Sequence, residues 1–206
     1  DNYTPTSNNV RVRVRDRFVR FRDAYNFELK NLHFFAGSID ICCGYWTIED
    51  SKFSFSYYYG GRNLKVNSGR GSNVTIRNTI FEHINDGPPI RMRGNEHTFE
   101  NILVRYHDWY TGSSNYFQDG SPSYFRYVTF ENSYSAGIFS NAGSLIEYAR
   151  FENLYDGCDC SGIQRNANNT MYSTTRYTWI INAPGLNGMR FDSACGGNNG
   201  DIYNVV

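Results

Sequence analysis

The sequence predicts an all-β chain wound as a right-handed parallel β-helix, a solenoid of about eight coils. Three observations carry the solenoid: a short apolar strand motif recurs along the chain, its residues are β-branched and aromatic, and its aligned copies form columns of constant character.

The first strong copy is Phe-Glu-Leu-Lys-Asn-Leu-His-Phe at 27–34, and the form returns at 74–81, 123–130 and 144–151. Weaker copies stand at 46–53, 97–104, 173–180 and 200–206. The copies start 19 to 29 residues apart. That period is too short for a propeller blade and suits one solenoid coil. Spacing inside each half of a copy is close to two, Gly, Asn, Asp and Ser fill the gaps, and no long 3.6-residue period occurs. Equivalent strands therefore stack in parallel, roughly 4.8 Å apart.

Aligned, the closing residues run Phe34, Phe53, Phe81, Val104, Phe130, Phe151, Ile180. Five positions earlier the column is Leu29, Ile48, Ile76, Phe99, Phe125, Ile146, Thr175, Ile202. The next residue alternates in sign, as Lys30, Glu49, Arg77, Glu100, Arg126, Glu147, Arg176. On an outward face each charge then meets its opposite one strand away, which favours this register over a slipped one. The column after that is Asn31, Asp50, Asn78, Asn101, Tyr127, Tyr148, Tyr177, Asn204, where the apolar phase shifts. It reads as a corner, because Asn tolerates the left-handed backbone, and the three Tyr are expected to stack. A second strand per coil begins at Ala-Gly-Ile (136–138), Ser-Gly-Ile (161–163) and Asn-Gly-Met (187–189), with Pro-Pro-Ile (88–90) in the same role. Its Gly is expected at a tight corner.

These columns resemble the right-handed parallel β-helix superfamily, the pectate-lyase-like group of secreted repeat proteins, over about residues 27–206. Asp-Gly-Cys-Asp-Cys-Ser-Gly-Ile-Gln (156–164) and Gly-Met-Arg-Phe-Asp (188–192) look like coils of such proteins. The handedness follows from the resemblance and from the usual right-handed parallel crossover. The superfamily holds lyases, hydrolases, adhesins and fibre proteins, so the fold implies no single chemistry. In its lyases an Arg or Lys acts as base and acidic residues hold calcium. The residues matching that role are Arg165 and Arg190, with Asp156, Asp159 and Asp192, on two successive coils. The Asp-Gly pairs at 86–87, 119–120 and 156–157 read equally as turn chemistry. The Asn-Thr-Asp and Arg-Ile-Lys signatures of polygalacturonase-like helices are absent, and the chain has only Lys30, Lys52 and Lys65. Beyond that calcium no cofactor is expected, and no zinc, phosphate-loop or serine-nucleophile motif occurs.

With 206 residues, 40% of them hydrophobic, one core is expected. Zero net charge implies no general attraction to nucleic acid or acidic lipid, and no apolar run reaches the length of a membrane span. The division expected is a strand or cap region at 1–26 and the β-helix at 27–206. The chain opens at Asp1 without Met and closes inside a repeat copy, so a longer parent chain, or self-association over the open edge, is expected.

Sequons at Asn2, Asn73 and Asn168, 17 Tyr and few Lys fit a secreted, extracellular glycoprotein. Cys42, Cys43, Cys158, Cys160 and Cys195 are disulfide candidates: Cys160 and Cys195 lie one coil apart, Cys42 and Cys43 offer a vicinal pair, and an odd count leaves one partner elsewhere. Residues 11–22 carry six Arg, and strand alternation sets Arg11, Arg13, Arg15 and Arg17 on one face. That face reads as a strip for an acidic polysaccharide or as the solvated side of a first strand. His33, His83, His97 and His107 lack metal-like spacing, and His107-Asp108 would project to opposite faces. Trp46, Tyr57, Tyr58, Tyr59, Tyr106, Trp109, Tyr110 and Tyr116 exceed what one narrow core holds and are expected outside it, against sugars, a second subunit or the longer loops. The expected function is a structural module of an extracellular fibre, appendage or matrix. A polysaccharide lyase or hydrolase, or a non-catalytic glycan-binding β-helix, is the alternative.

Overall fold

The structure is a computed structural model and describes residues 17–21, 24–41, 43–55, 64–66, 73–84, 89–92, 94–107, 117–118, 122–134, 137–140, 142–155, 161–166, 172–184, 187–192 and 200–206. Its strands in chain order are β1 (Arg17–Phe21), β2 (Phe27–Lys30), β3 (His33–Phe35), β4 (Ser38–Ile41), β5 (Trp46–Glu49), β6 (Lys52–Ser54) and β7 (Leu64–Val66). Then come β8 (Thr75–Glu82), β9 (Ile90–Arg91), β10 (His97–Arg105), β11 (Phe117–Gln118), β12 (Ser123–Tyr134) and β13 (Ile138–Ser140). The last are β14 (Leu145–Glu147), β15 (Arg150–Tyr155), β16 (Ser161–Asn166), β17 (Thr174–Ile181), β18 (Asn187–Asp192) and β19 (Asp201–Val205).

The strands alternate between two sheets, which is the mark of a solenoid. One sheet has the order β1-β4-β7-β9-β11-β13-β16-β18. The other runs from β2 through β5, β8, β10 and β12 to β14 and β15, then β17, with β19 paired to β17. Pairing is parallel in both. Residues 17–21 join the first sheet by pairing with β4, so the end of the basic stretch is an ordinary strand of the stack.

The register follows the sequence columns. Phe34 faces Phe53, Phe53 faces Phe81, Phe81 faces Val104, Val104 faces Phe130, and Phe151 follows Phe130. Leu29, Ile48, Ile76, Phe99, Phe125 and Ile146 line up the same way. Phe53, Phe81, Phe99, Phe125, Phe130 and Phe151 are fully buried. Their rings stack rung on rung, with centroids 4.8 Å apart for Phe34–Phe53, 4.9 Å for Phe53–Phe81 and 4.7 Å for Phe99–Phe125. Ring stacking thus runs at the strand spacing, so one residue type serves both ladder and core. Each buried Phe contributes about 1.5–3 kcal/mol of transfer free energy.

The corner column has left-handed backbone throughout: Asn31, Asp50, Asn78, Asn101, Tyr127, Tyr148, Tyr177 and Asn204 all have φ between 49° and 55°. One left-handed residue between two extended ones bends the strand and shifts the side-chain phase. In β10 this leaves Phe99, Ile102 and Val104 buried with Asn101 exposed between them. A small hydroxyl next to the corner then closes the backbone. Thr79 Oγ1 donates to Arg77 O (2.8 Å), Ser51 Oγ to Glu49 O (2.7 Å) and Thr178 Oγ1 to Arg176 O (3.1 Å). These hydroxyls are buried yet satisfied, which explains polar residues in the interior columns.

The strands of the first sheet, β1 to β18, also take the expected register, with Ile138 on Ile163 and Ile163 on Met189. The glycines before them serve a different end from the one expected. A Cβ on Gly137 would run into the carbonyl oxygens of Ser161 and Gly162, so Gly is required by close approach of the next strand, not by a left-handed turn.

Candidate functional site

The outer face of the second sheet carries three ladders. The first is the charge column. Glu49 takes Lys30 Nζ at 3.0 Å and Arg77 Nε at 2.7 Å. Glu147 takes one arginine per oxygen, with Arg126 Nε at 2.7 Å and Arg176 Nε at 2.8 Å. Arg176 also donates to Tyr203 Oη at 2.9 Å, and its pKa rises far above the ordinary range through that bond and the one to Glu147. One corner later, Glu82 is gripped by Lys52 Nζ at 2.6 Å and by Arg105 Nη2 at 2.8 Å. Burial pushes the Glu82 and Glu147 carboxyls up, and the cation bonds outweigh it, so both are held below the ordinary carboxylate range. The Arg77 and Lys30 bonds lower Glu49 likewise.

The second ladder is the corner column. Asn78 Nδ2 donates to Asp50 Oδ1 and Asn101 Nδ2 to Asn78 Oδ1, both at 3.0 Å. The column then turns aromatic: Tyr127 stacks on Tyr148 and Tyr148 on Tyr177, each at 5.1 Å. The third ladder is a corner the sequence did not announce. Ala36, Phe55, His83, Tyr106, Asn132, Asn153 and Asn182 all have φ between 50° and 57°. Here the aromatics come first, with Phe55 on His83 at 4.6 Å and His83 on Tyr106 at 4.9 Å. The amides follow, with Asn153 on Asn132 at 3.1 Å and Asn182 on Asn153 at 2.6 Å. Each position lies two residues after the closing apolar column; Asn132, Asn153 and Asn182 were its only visible signal.

Between these ladders lies an open groove of about 630 Å³, lined by Asn101, Tyr127, Thr129, Tyr148, Arg150, Trp179 and Ile181. Thr129, Arg150 and Trp179 stand on successive strands. Tyr127 is 51% exposed and Trp179 43%. Arg150 Nη2 lies 2.6 Å from Glu152 Oε2.

The two arginines expected to carry chemistry do not meet here. Arg165 is buried, 2% exposed, and its Nη2 donates to Thr175 Oγ1 at 2.6 Å across the interior. Arg190 pairs with Gln164, one step from Arg165, so the two arginines project to opposite faces of their sheet. Asp192 sits opposite Asn166, while Asp156 and Asp159 lie outside the described residues. Among the described residues no group of three or more His, Cys, Asp or Glu is placed to hold a metal ion. Of the basic strip Arg17 begins β1, and Arg11, Arg13 and Arg15 lie outside the described residues. Asn73 is a partly exposed corner residue with φ 57°, and Asn2 and Asn168 lie outside. Cys43 is buried, 3% exposed, and Cys42, Cys158, Cys160 and Cys195 lie outside the described residues. His97 and His107 are buried, with His97 Nδ1 accepting from the Val74 amide at 3.3 Å. Asp108 lies outside the described residues.

Trp46 corrects an expectation. It is 1% exposed, stacks on Phe27 at 4.8 Å and donates Nε1 to Ala24 O at 3.2 Å. The polar edge thus finds a partner and the ring joins the core. Tyr106 is exposed as expected, on His83, and Tyr57, Tyr58, Tyr59, Trp109, Tyr110 and Tyr116 lie outside the described residues. Trp179 gave no sequence signal, because its column neighbours are Thr129 and Arg150.

Residues 39–193 match the family model described as right handed beta helix region. The chain belongs to this β-helix family. Among solved structures, the β-helix chain is similar to QnrB1, described as a plasmid-mediated fluoroquinolone resistance protein, at 10% identity and a TM-score of 0.25, over 81% of this chain and 92% of that one. No curated protein matches. Among the described residues no helix is long and apolar enough to cross a membrane.

Proposed function

We propose that this β-helix is a structural module: a secreted, glycosylated rod segment of an extracellular fibre, surface appendage or matrix, which self-associates or continues into further domains. The observation that carries this reading is the outer ladder system. Glu49, Glu82 and Glu147 are each gripped by cations from the strands on both sides, and the corner amides and rings bond along the same axis. Charges used this way stiffen a rod and supply no acid–base pair to a substrate. A lyase or hydrolase acting on an acidic polysaccharide would need its arginines on one open face, and Arg165 and Arg190 point apart. Asn73 supports the glycoprotein setting, since its corner position leaves a glycan room to project. Sedimentation velocity of the natively purified protein tests the reading: the expected outcome is concentration-dependent association into elongated species. A compact monomer at every concentration would overturn it.

A further inference from the structure

The first corner column changes residue type without changing its backbone. Asn31, Asn78, Asn101 and Asn204 hold φ between 50° and 55°, while Tyr127 stands at 54°, Tyr148 at 53° and Tyr177 at 49°. Left-handed backbone suits Asn and strains a bulky side chain, so the corner itself does not call for three successive tyrosines. Stacking offsets part of the strain: Tyr148 lies on Tyr127 at 5.1 Å and 19°, and on Tyr177 at 5.1 Å and 13°. Stacking needs a ring and not a hydroxyl, since Phe55 stacks on His83 at the other corner with φ 57°. The phenol is the part that the fold does not require.

The three phenols are open to a reagent and held in register. Tyr127 and Tyr148 are exposed and Tyr177 is half-buried. The residues just before them pair strand to strand, Arg126 with Glu147 and Glu147 with Arg176, so the rings repeat at the strand spacing of about 4.8 Å. The ladder ends at Tyr203, which meets Tyr177 edge-on, 84° between the planes at 6.0 Å. A phenoxyl radical carries its spin on the oxygen and on the ortho and para carbons. In tyrosine the para carbon bears Cβ, so Cε1 and Cε2 are the carbons free to couple. Turning two neighbouring rings about their Cβ–Cγ bonds brings a Cε of one to face a Cε of the next. The parallel backbone thus supplies the proximity that free phenols lack.

We propose that the Tyr127–Tyr148–Tyr177 ladder is an oxidative cross-linking site, where hydrogen peroxide and a haem peroxidase join neighbouring coils through dityrosine. Two phenols each give up one electron and the hydroxyl proton. The two radicals form a Cε–Cε bond, and the hydrogens on the joined carbons move to the oxygens through solvent, restoring both phenols. The two electrons and two protons released reduce one hydrogen peroxide to two waters. The bond constrains the unfolded chain as a disulfide does, so joined coils resist peeling from the stack. It lies within one chain and does not depend on assembly of the rod.

The test treats the whole folded chain, dilute enough to stay monomeric, with horseradish peroxidase and limiting hydrogen peroxide. Cleavage after glutamate separates the three rings and leaves Tyr148 as the only tyrosine of peptide 148–152. The expected result is dityrosine fluorescence in the monomer band. Mass spectrometry should find peptide 148–152 joined, with loss of two hydrogens, to the peptide carrying Tyr127 or Tyr177. Tyr127→Phe should send all of this linkage to Tyr177, and Tyr148→Phe should lower the monomer-band fluorescence. Tyr172→Phe, which removes an exposed phenol outside the ladder, should leave the linkage unchanged. Circular dichroism confirms that each variant is folded. Oxidation in denaturing urea, where register is lost, should scatter the linkage over other tyrosines. Peptide 148–152 left unlinked in the oxidised folded chain, the same linkage pattern in urea, or dityrosine in dimer bands alone overturns the proposal.

Discussion

A left-handed backbone costs an ordinary residue roughly 1–3 kcal/mol, and this chain places such residues at both corners of one sheet. At Asn101 the cost is offset by the amide bond to Asn78 and by the intrinsic tolerance of Asn. Asn101→Val removes both and adds a β-branch, so a loss of about 2 kcal/mol is expected in urea unfolding, with Asn101→Gly milder. The glycines give a second contrast. Gly137→Ala sets a methyl against the backbone of 161–162, which cannot yield, and should cost about 1–3 kcal/mol. Gly188→Ala meets the tip of Ile180 at 3.2 Å, a side-chain end that can shift, and should cost less by the same assay.

At the scale of the element, each strand is held by its column. Phe99 is stacked at 4.7 Å on Phe125 and fully buried, so Phe99→Ala should destabilise by about 3–5 kcal/mol in equilibrium unfolding. The charge ladder gives the pH dependence. Glu49, Glu82 and Glu147 have folded pKa values below the ordinary one of about 4.3 in an unfolded chain. Their stabilisation is therefore fully present above that value and is lost as pH falls through the folded pKa values. Melting temperature should drop between neutral pH and pH values below about 4, and the Glu82→Gln/Glu147→Gln variant should show a flatter profile from a lower start. An equal slope for both proteins would contradict the ladder account. These columns were legible in the sequence because stacking repeats one residue type or alternates one sign, from Phe34 to Phe151 and from Lys30 to Arg176. The second corner was not, because left-handed backbone is tolerated there by Ala36, Phe55 and His83, which carry no Asn signal.

For the whole molecule, the register builds two parallel sheets that continue rung on rung, so stiffness along the axis comes from many weak repeats rather than one strong site. The candidate site was less legible than the fold. Sequence proximity on two coils brought Arg165 and Arg190 together on paper, but a one-residue offset sends them to opposite faces. The groove depends on a change of residue type within a column, from Asn101 to Tyr127, and on Trp179, whose neighbours share nothing with it. Spatial coincidence across three strands has no mark in a single repeat. Trp46 shows the converse, an aromatic counted as surplus that the first rungs bury.

The most direct test of the structural role is negative-stain electron microscopy of the natively purified material. The account predicts regular filaments or elongated rods whose long axis is the β-helix axis. Discrete globular particles, unchanged by concentration, would contradict it.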